Sequence, residues 1–187
     1  MKQDIRNQKF MVMGLQGSGK TYFSREIIKQ RNYNVLVYSP HQHDFKNEPD
    51  NFIYFKFYDF VKDFENFCKY AIELGKQKLI DGVLIDEFDL VLKNNYDMKQ
   101  NTTDLFINHR HYNIFLIAVS RRPQDIPAKI FESAKFIVCF ALQGENVKTK
   151  FNNIYKGFGD MILKLDYSKH EYIFKEIGKP PVKMAKI

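Results

Sequence analysis

The sequence predicts an α/β fold in which helices cover a mostly parallel central sheet. Three observations lead to this prediction. Short apolar runs, each about as long as a buried strand, alternate with segments whose apolar residues recur at helical spacing. The apolar runs end on glycine or on polar residues, where loops follow. The chain has 187 residues, of which 44% are hydrophobic, so we expect one domain over residues 1–187 with a self-sufficient core.

The first half of the chain carries the clearest helix signal. In residues 59–75, Phe60, Phe64 and Phe67 share one helical face with other apolar residues, and Gly75 can end the helix. This aromatic stripe is expected to pack in the core. We predict a further helix at residues 22–30 and strands at residues 10–14, 34–38, 51–58 and 82–87.

The second half of the chain continues the alternation of strands and helices. Thr102 or Thr103 can cap a helix that runs to Tyr112. The basic, proline-containing tail at 178–187 is expected to be extended. We also predict a strand at 113–120, a short helix at 126–134, a strand at 135–142, a polar helix or a helix and loop at 144–158, and a strand pair at 161–167 and 171–177.

A glycine-rich motif lies between the first predicted strand and the helix that follows it. Four of its residues match the pattern GxxxxGK[ST] in the strand-loop-helix context in which that pattern binds phosphates. Backbone N–H groups of such a loop turn toward the phosphates, the lysine contacts the β- and γ-phosphates, and the threonine hydroxyl ligates Mg²⁺. We therefore predict a site for ATP and Mg²⁺, with these nucleotide-binding residues: Gly14, Gln16, Gly17, Ser18, Gly19, Lys20 and Thr21.

Two carboxylates, Asp86 and Glu87, end the strand predicted at 82–87. The carboxyl ends of parallel strands form the edge of a sheet where ligands bind. Asp86 can hold the hydration shell of Mg²⁺, and Glu87 can orient or deprotonate the attacking water. The second carboxylate therefore favours hydrolysis over nucleotide binding alone. Asp89, two residues further on, is interpreted as a helix-start carboxylate without a chemical role.

Composition narrows the classes of partner. Lysine and arginine exceed aspartate and glutamate by seven, and the isoelectric point is near 9.2, which suits contact with a nucleic acid or equally a solvated basic surface. Lys148 and Lys150, in a basic and aromatic segment, fit either interpretation. No apolar run approaches the roughly 18 to 20 residues needed to cross a bilayer.

Cysteine and histidine do not indicate a metal centre. Cys68 and Cys139 are far apart and form neither a disulfide framework nor a zinc motif. Two H-x-H pairs lack a third ligand at a suitable spacing. We interpret these as loop or surface residues: His41 with His43, and His109 with His111.

Three arginines flank the strand predicted at 113–120, which ends at Ser120. Its end should lie at the same sheet edge as the two motifs above. Ser120 can therefore contact the γ-phosphate, and Arg110, Arg121 or Arg122 can stabilise its charge during phosphoryl transfer, from the same or a neighbouring subunit. The alternative is a surface cluster that binds nearby carboxylates.

Taken in order, these motifs resemble the HerA/FtsK superfamily of ring-forming, DNA-pumping ATPases. The resemblance rests on "GLQGSGKT", "VLIDE" and "RHYNIFLIAVSRRPQDIPAKIFESAKFIVCFAL". It implies a RecA/ASCE-like P-loop NTPase fold, a three-layer sandwich. By position, Arg122 and Pro123 match the family's Arg-Pro pair, and Arg110 matches an arginine that reaches the neighbouring subunit's site. Arg121 stands in place of the usual sensor glutamine, and Ser39 in place of a common Asp-Pro step.

The resemblance also implies a function. The chain has room for little beyond the ATPase core, which is similar to the genome-packaging ATPases of membrane-containing icosahedral viruses. This implies an ATP-driven translocase of double-stranded DNA that forms a hexameric ring in the host cytoplasm or with the virion, beside a capsid or membrane protein at a packaging vertex.

Two alternatives stay open. One is a filamentous-phage assembly or export ATPase, similar to the zonula-occludens-toxin-like proteins. The other is a nucleotide-dependent switch or a small-molecule kinase. The kinase is disfavoured because no arginine-rich lid follows the acidic strand and because Glu87 is not needed to phosphorylate a bound acceptor.

Overall fold

The structure is a computed structural model that describes residues 4–41, 48–92 and 98–184. Within these residues there are eight strands: β1 Lys9–Met13, β2 Val35–Tyr38, β3 Phe52–Tyr54, β4 Gly82–Ile85, β5 Phe115–Ser120, β6 Phe136–Phe140, β7 Tyr172–Glu176 and β8 Val182–Met184. They form one sheet in the order β3-β2-β4-β5-β1-β6-β7-β8. Strands β1 to β6 are parallel, whereas β7 and β8 are antiparallel additions at one side.

Helices cover the two faces of the sheet unevenly. On one face, Phe23 and Ile28 of the first helix share a buried cluster with Val12 and Val37 of the strands. Apolar residues of the other described helices form a larger cluster on the opposite face. The helices are α1 Lys20–Lys29, α2 Phe64–Lys76, α3 Phe88–Val91, α4 Gln100–Asn108, α5 Ala128–Glu132, α6 Glu145–Ile154 and α7 Phe158–Leu163.

The position of β5 between β1 and β4 organises the functional edge of the sheet. The register pairs Met13, the last residue of β1, with Ser120, the last residue of β5. It also pairs Ile85, the last residue of β4, with Ala118. Because these strands are parallel, the loops that follow all three leave the sheet at the same edge.

The predicted fold class is confirmed: the chain has an α/β fold with a mostly parallel central sheet. The five parallel strands other than β3, namely β1, β2, β4, β5 and β6, lie within two residues of their predicted bounds. They were predictable because parallel strands that are buried on both faces read as continuous apolar runs.

The prediction for residues 51–75 was partly wrong, because an aromatic cluster replaces regular structure there. Only Phe52–Tyr54 forms a strand, and α2 begins at Phe64 instead of residue 59. The intervening segment wraps around buried Tyr38, whose hydroxyl donates a hydrogen bond to the Phe60 carbonyl (2.6 Å) and whose ring stacks on Phe60 (4.8 Å between centroids). Phe64 and Phe67 are buried in the core, as expected.

The strand predicted at 161–167 was also wrong, because its first three residues end a helix and Tyr167 begins a 3-10 turn. Phe158 and Ile162, four residues apart, are both fully buried in α7. Gly159 lies so close to the backbone of Lys148 in α6 that a side chain would not fit there. The true partners of β7 are therefore β6 and β8.

The remaining boundaries differ in smaller ways. Residues 109–112 form a 3-10 turn after α4 instead of continuing it. Residues Val182–Met184 of the tail pair with β7 as an edge strand. No helix in the described ranges is long and apolar enough to cross a lipid bilayer.

Candidate active site

The loop between β1 and α1 has the backbone shape that its glycines predict. Gly17 and Gly19 adopt positive φ angles of 74° and 104°, which residues with a side chain rarely adopt. At Gly14, a Cβ atom would lie 2.6 Å from Phe140 Cβ and 2.6 Å from Ser18 Oγ. Glycine is therefore required at Gly14 by close packing and at the other two positions by backbone conformation.

Two side chains from the C-terminal part of the chain hold this loop from outside. The Tyr167 hydroxyl donates a hydrogen bond to the Gln16 carbonyl (2.6 Å), and His170 Nδ1 lies 3.2 Å from the Ser18 carbonyl. In a trans peptide, the C=O and the next N–H point in opposite directions. The N–H groups of Gly17 and Gly19 consequently point away from these contacts, as an anion-binding loop requires.

Lys20 begins α1 and bends back across the loop. Its side chain is buried, and its Nζ donates a hydrogen bond to the Leu15 carbonyl (2.7 Å) at the other end of the loop. Burial lowers the pKa of this lysine, while Glu87 and Asp86 act in the opposite direction. The ammonium group therefore lies where it would meet a phosphate bound by the loop.

A cavity of about 320 Å³ joins the glycine-rich loop to the carboxylate pair. It opens beside the N-terminus of α1, whose dipole favours anions. The residues around it come from the ends of β1, β2, β4 and β5, so the cavity exists because four loops leave the sheet together. Its lining consists of Gln16, Gly17, Lys20, Thr21, His41, Asp86, Glu87 and Arg121.

Asp86 is a buried carboxylate at the floor of this cavity, only 4% exposed. Its Oδ1 accepts the Glu87 backbone N–H (3.0 Å), and its Oδ2 accepts a weak hydrogen bond from Ser39 Oγ (3.4 Å). Burial, with the neighbouring charge of Glu87, raises the pKa of Asp86 from 3.8 to about 6. The ionised form is thus short of compensating charge, a property of sites that bind cations.

Glu87 occupies the left-handed region, with φ 53° and ψ 42°, which is uncommon for a residue with a side chain. Its Oε2 lies 2.7 Å from Arg121 Nε. The backbone N–H of Arg121 in turn donates to Oδ1 of buried Asp89 (3.0 Å). Contacts between the loops after β4 and β5 therefore fix the position of Glu87.

The structure does not bring every predicted site residue to the cavity. Ser120 is fully buried: its carbonyl accepts the Gly14 N–H (3.3 Å) and its hydroxyl accepts the Arg122 N–H (3.1 Å). The exposed side chain of Arg122 instead lines an adjacent cavity of about 410 Å³, shared with Arg121 and Gln16. Ser18 is buried, and its hydroxyl has no hydrogen-bond partner among the described residues.

Arg110 lies at the opposite edge of the sheet. It precedes β5, whereas Ser120 ends that strand, so six strand residues, or about 20 Å, separate the two. Arg110 is instead near buried Lys9 at the start of β1, whose pKa is lowered to about 8 by burial and by the charge of Arg110. Arg110 therefore cannot reach the cavity of its own chain.

Sequence reasoning missed four residues of the site. Tyr167, His170 and His41 follow other elements, and no local pattern links them to the glycine-rich loop. His41 was interpreted as a surface residue, and it is exposed, yet it lines the cavity. Asp89 carried a usable signal, since it is an acidic residue directly after the carboxylate pair.

The interpretation of the histidine pairs needs one correction. His109 is buried, not exposed, because α4 and the following 3-10 turn pack it against the start of β1. Burial, with the charge of Lys9, lowers its pKa from 6.5 to about 4. His111 is exposed, and His43 lies outside the described residues.

Loops of this construction bind the phosphates of nucleotides, and a strand-end carboxylate pair beside them is a feature of P-loop enzymes that hydrolyse the nucleotide. The fold and the site together define a P-loop NTPase. Sequence comparison identifies the family: residues 10–142 match the profile of the ATPase family associated with various cellular activities (AAA), and the chain belongs to this family. No curated protein sequence matches it.

Solved structures show the same fold. The genome packaging NTPase B204 from Sulfolobus turreted icosahedral virus 2, in complex with AMPPCP, superposes with a TM-score of 0.80 at 15% identity, covering 99% of this chain and 100% of that chain. The cytoplasmic domain of the Thermomonospora curvata Type VII secretion ATPase EccC gives 0.66 at 12% identity, covering 95% and 25%. The N-terminal domain of zonular occludens toxin from Neisseria meningitidis gives 0.54 at 12% identity, covering 96% and 93%. The expected resemblance to packaging ATPases is confirmed.

Replacing Gly17 with alanine should weaken nucleotide binding about 30-fold, because the left-handed backbone and a lost hydrogen bond each cost roughly 1 kcal/mol, and about 1.4 kcal/mol corresponds to a factor of ten. The new Cβ would lie 2.6 Å from Tyr167 Oη and displace it from the Gln16 carbonyl. Gly157→Ala is the matched control, since φ there is 84° but nothing lies within 4 Å. Calorimetric titration with ATP would contradict this account if both variants bound equally well.

Replacing Asp86 with asparagine should stabilise the fold at pH 7 in EDTA. The pKa of this carboxyl is raised from 3.8 to about 6 in the folded chain. Ionisation therefore destabilises the folded wild type as pH rises from about 4 to 6. With about 1.4 kcal/mol for each pKa unit, we expect a gain of about 3 kcal/mol at pH 7, and well under about 1 kcal/mol near pH 4.

Urea unfolding at both pH values measures this gain. Asp50→Asn, at an exposed position, is the control and should change neither stability. An Asp86→Asn gain that is equal at pH 4 and pH 7 would show that the buried charge is not its cause.

Proposed function

We propose that this protein is an ATP-hydrolysing motor that translocates double-stranded DNA, and that it packages a viral genome as a hexameric ring. The observation that carries the proposal is the whole-chain similarity to a genome packaging NTPase, which covers 99% of this chain and 100% of that one. The similarity to EccC, in contrast, covers 25% of the longer chain. The formal net charge of +7 also suits a polyanionic partner.

In the proposed site, the inward N–H groups of the loop and the ammonium of Lys20 bind the phosphates of ATP. Thr21 and Asp86 would hold Mg²⁺, which neutralises charge on the phosphate oxygens. The donors fit this ion: both residues line one cavity, and the charge of Lys20 offsets the burial of the Asp86 carboxylate only in part. Few protein ligands suffice, since Mg²⁺ keeps several waters and binds the phosphates directly.

Glu87 acts as the general base that orients and deprotonates the attacking water. Arg121 pairs with it at 2.7 Å and lines the same cavity as Lys20. A γ-phosphate in this cavity would compete with Glu87 for the guanidinium. Arg121 thus contributes positive charge to the phosphate, in place of the amide of a sensor glutamine, and releases the carboxylate for its role as base. Ser120 supports this arrangement through Gly14 and Arg122, without touching the nucleotide.

Arg110 serves the site of a neighbouring subunit in the proposed ring. It is exposed at the sheet edge remote from its own cavity, so an action on ATP requires a second chain. Arg122, exposed beside Arg121 in the adjacent cavity, is the other arginine placed to approach a partner's phosphate. Supply of an arginine in trans is a recurring device in phosphoryl transfer.

The alternative function is filamentous-phage assembly or export. The similarity to the N-terminal domain of zonular occludens toxin, which covers 93% of that chain, supports it. The lower TM-score, 0.54 against 0.80, makes it the second candidate. A nucleotide switch or a kinase has no comparable support. As a packaging motor, the protein would act in the host cytoplasm or on the virion, beside a capsid or membrane protein.

Double-stranded DNA should bind the protein and stimulate ATP hydrolysis, with both effects weakening as salt rises. Lys20→Ala and Glu87→Gln should each lower turnover by about 100-fold or more. Only the first should also lose ATP binding, because Glu87 acts on the water and not on the phosphates. Phosphate release measured with and without DNA tests this; active hydrolysis without DNA binding or stimulation would remove support for translocation while leaving the ATPase intact.

Mixing two inactive variants tests whether Arg110 acts in trans. Arg110→Ala subunits keep Glu87, and Glu87→Gln subunits keep Arg110, so some interfaces of a mixed ring regain both groups. Random assembly at equal amounts restores about a quarter of the interfaces in a head-to-tail ring. Arg122→Ala in place of Arg110→Ala is the matched comparison. Mixed rings verified by native mass spectrometry that stay inactive would exclude Arg110 from the shared site.

A further inference from the structure

A second cavity lies at the opposite end of the sheet from the P-loop. Its volume is about 610 Å³, larger than the 320 Å³ cavity at the P-loop. It lies between α5, α6 and the β6–β7 pair, next to Lys135, which precedes β6. The other end of β6, at Phe140, packs against Gly14 and Gly19. The nucleotide site therefore does not use this cavity, which we name the lysine groove.

The lysine groove has an apolar floor that extends onto the surface. Phe131 and Ile137 are buried in its wall, and Ile154 packs partly buried beside them. Two apolar side chains at its mouth are far more open to solvent: Tyr155 is 42% exposed and Ile177 is 60% exposed. An exposed apolar surface that continues into a cavity is typical of a place where another molecule's apolar side chains bind.

Four lysines surround this floor, against one carboxylate, that of Glu132. Among the described residues, no carboxylate forms an ion pair with three of them. Instead the Lys150 Nζ donates to the Ile126 carbonyl (2.8 Å), the Lys175 Nζ donates to the Glu176 carbonyl (2.7 Å), and the Lys135 Nζ lies 5.4 Å from the centre of the Phe136 ring. The fourth, Lys179, pairs with Glu176 at 2.7 Å.

The carboxylates of Glu132 and Glu176 offset only part of the positive charge of these four lysines. Lys175 is 6% exposed, so its ammonium group lies in the wall of the groove, where solvent screens its charge little. Burial lowers the pKa of both Lys150 and Lys175. Carboxylates from a bound molecule would offset that cost, since an opposite charge nearby favours the ionised lysine.

We propose that the lysine groove is a docking site for an acidic, amphipathic peptide segment of another protein, whose apolar side chains fill the floor and whose carboxylates meet the lysines. Charge complementarity and the apolar floor together select this partner. Duplex DNA would match the charge, but a concave apolar floor offers nothing to its phosphates and sugars. The inference does not depend on the proposed motor function, because the groove is remote from the P-loop.

The test is a selection from a random peptide display library on the full chain. Enriched peptides are then synthesised, and their affinities are measured by fluorescence anisotropy. We expect them to combine apolar residues with aspartate or glutamate, and to bind Lys135→Glu/Lys179→Glu about tenfold more weakly than wild type. Ile177→Ser, at an exposed position, should weaken them severalfold.

Matched controls come from surfaces remote from the groove. Lys62→Glu/Lys69→Glu makes the same charge change near α2. Lys62, like Lys179 of the test pair, forms an i,i+3 ion pair. Lys69, like Lys135, has no ion pair among the described residues. Leu79→Ser matches Ile177→Ser, with 53% exposure against 60%. Both controls should bind the peptides as wild type does.

Two results would overturn the proposal. One is a selection in which no enriched peptide loses affinity in the Lys135→Glu/Lys179→Glu variant relative to its control. The other is a loss of duplex DNA binding in that variant that equals or exceeds its loss of peptide binding, which would assign the groove to nucleic acid. Circular dichroism and ATP turnover of each variant, both expected to be unchanged, show that the chain is folded when affinity is lost.

Discussion

The parallel pairing of β5 with both β1 and β4 is the constraint on which the rest of the structure depends. It brings Gly14, Asp86 and Arg121 to one edge of the sheet, since each is the first residue after its strand. The three strands are buried on both faces, so their register is held by packing as well as by hydrogen bonds. A slip of one residue would turn core side chains to the wrong face and separate the loop from its carboxylates.

The site at this edge combines groups that would each be unfavourable alone. Lys20 and Asp86 are charged and buried, and Glu87 is held in a left-handed backbone conformation. Strain of this kind persists only where the surroundings determine it, at a cost of roughly 1–3 kcal/mol. Here the Arg121 guanidinium holds the Glu87 carboxylate from the adjacent loop, and the Asp89 carboxylate in α3 accepts the backbone N–H of Arg121. The buried charges of Lys20 and Asp86 thus lower the free energy of unfolding in exchange for a site that can bind nucleotide, as in many enzymes.

The C-terminal segment that contains the antiparallel strands β7 and β8 extends from the P-loop site to the lysine groove. The segment before β7 supplies Tyr167 and His170, which hold the P-loop carbonyls, while residues after β7 supply Lys179 to the lysine groove. A partner bound in the groove would therefore contact the same strand pair whose other end supports the nucleotide loop. The C-terminal part of the chain is thus part of the site's scaffold and not an appendage.

The sequence by itself determined the buried strands, the P-loop and the carboxylate pair, because each depends on local features: continuous apolar runs, glycine spacing and a motif in its strand-loop-helix context. The order of these motifs also indicated the resemblance to genome-packaging ATPases that the structural comparison confirms. Tertiary structure alone decided that 158–163 is helical, where burial of Phe158 and Ile162 prevailed over strand propensity. Tertiary structure alone placed Arg110 at the far edge of the sheet. It alone also brought three side chains to the P-loop site, those of Tyr167, His170 and His41. These positions follow from strand order and packing, which residue spacing does not encode.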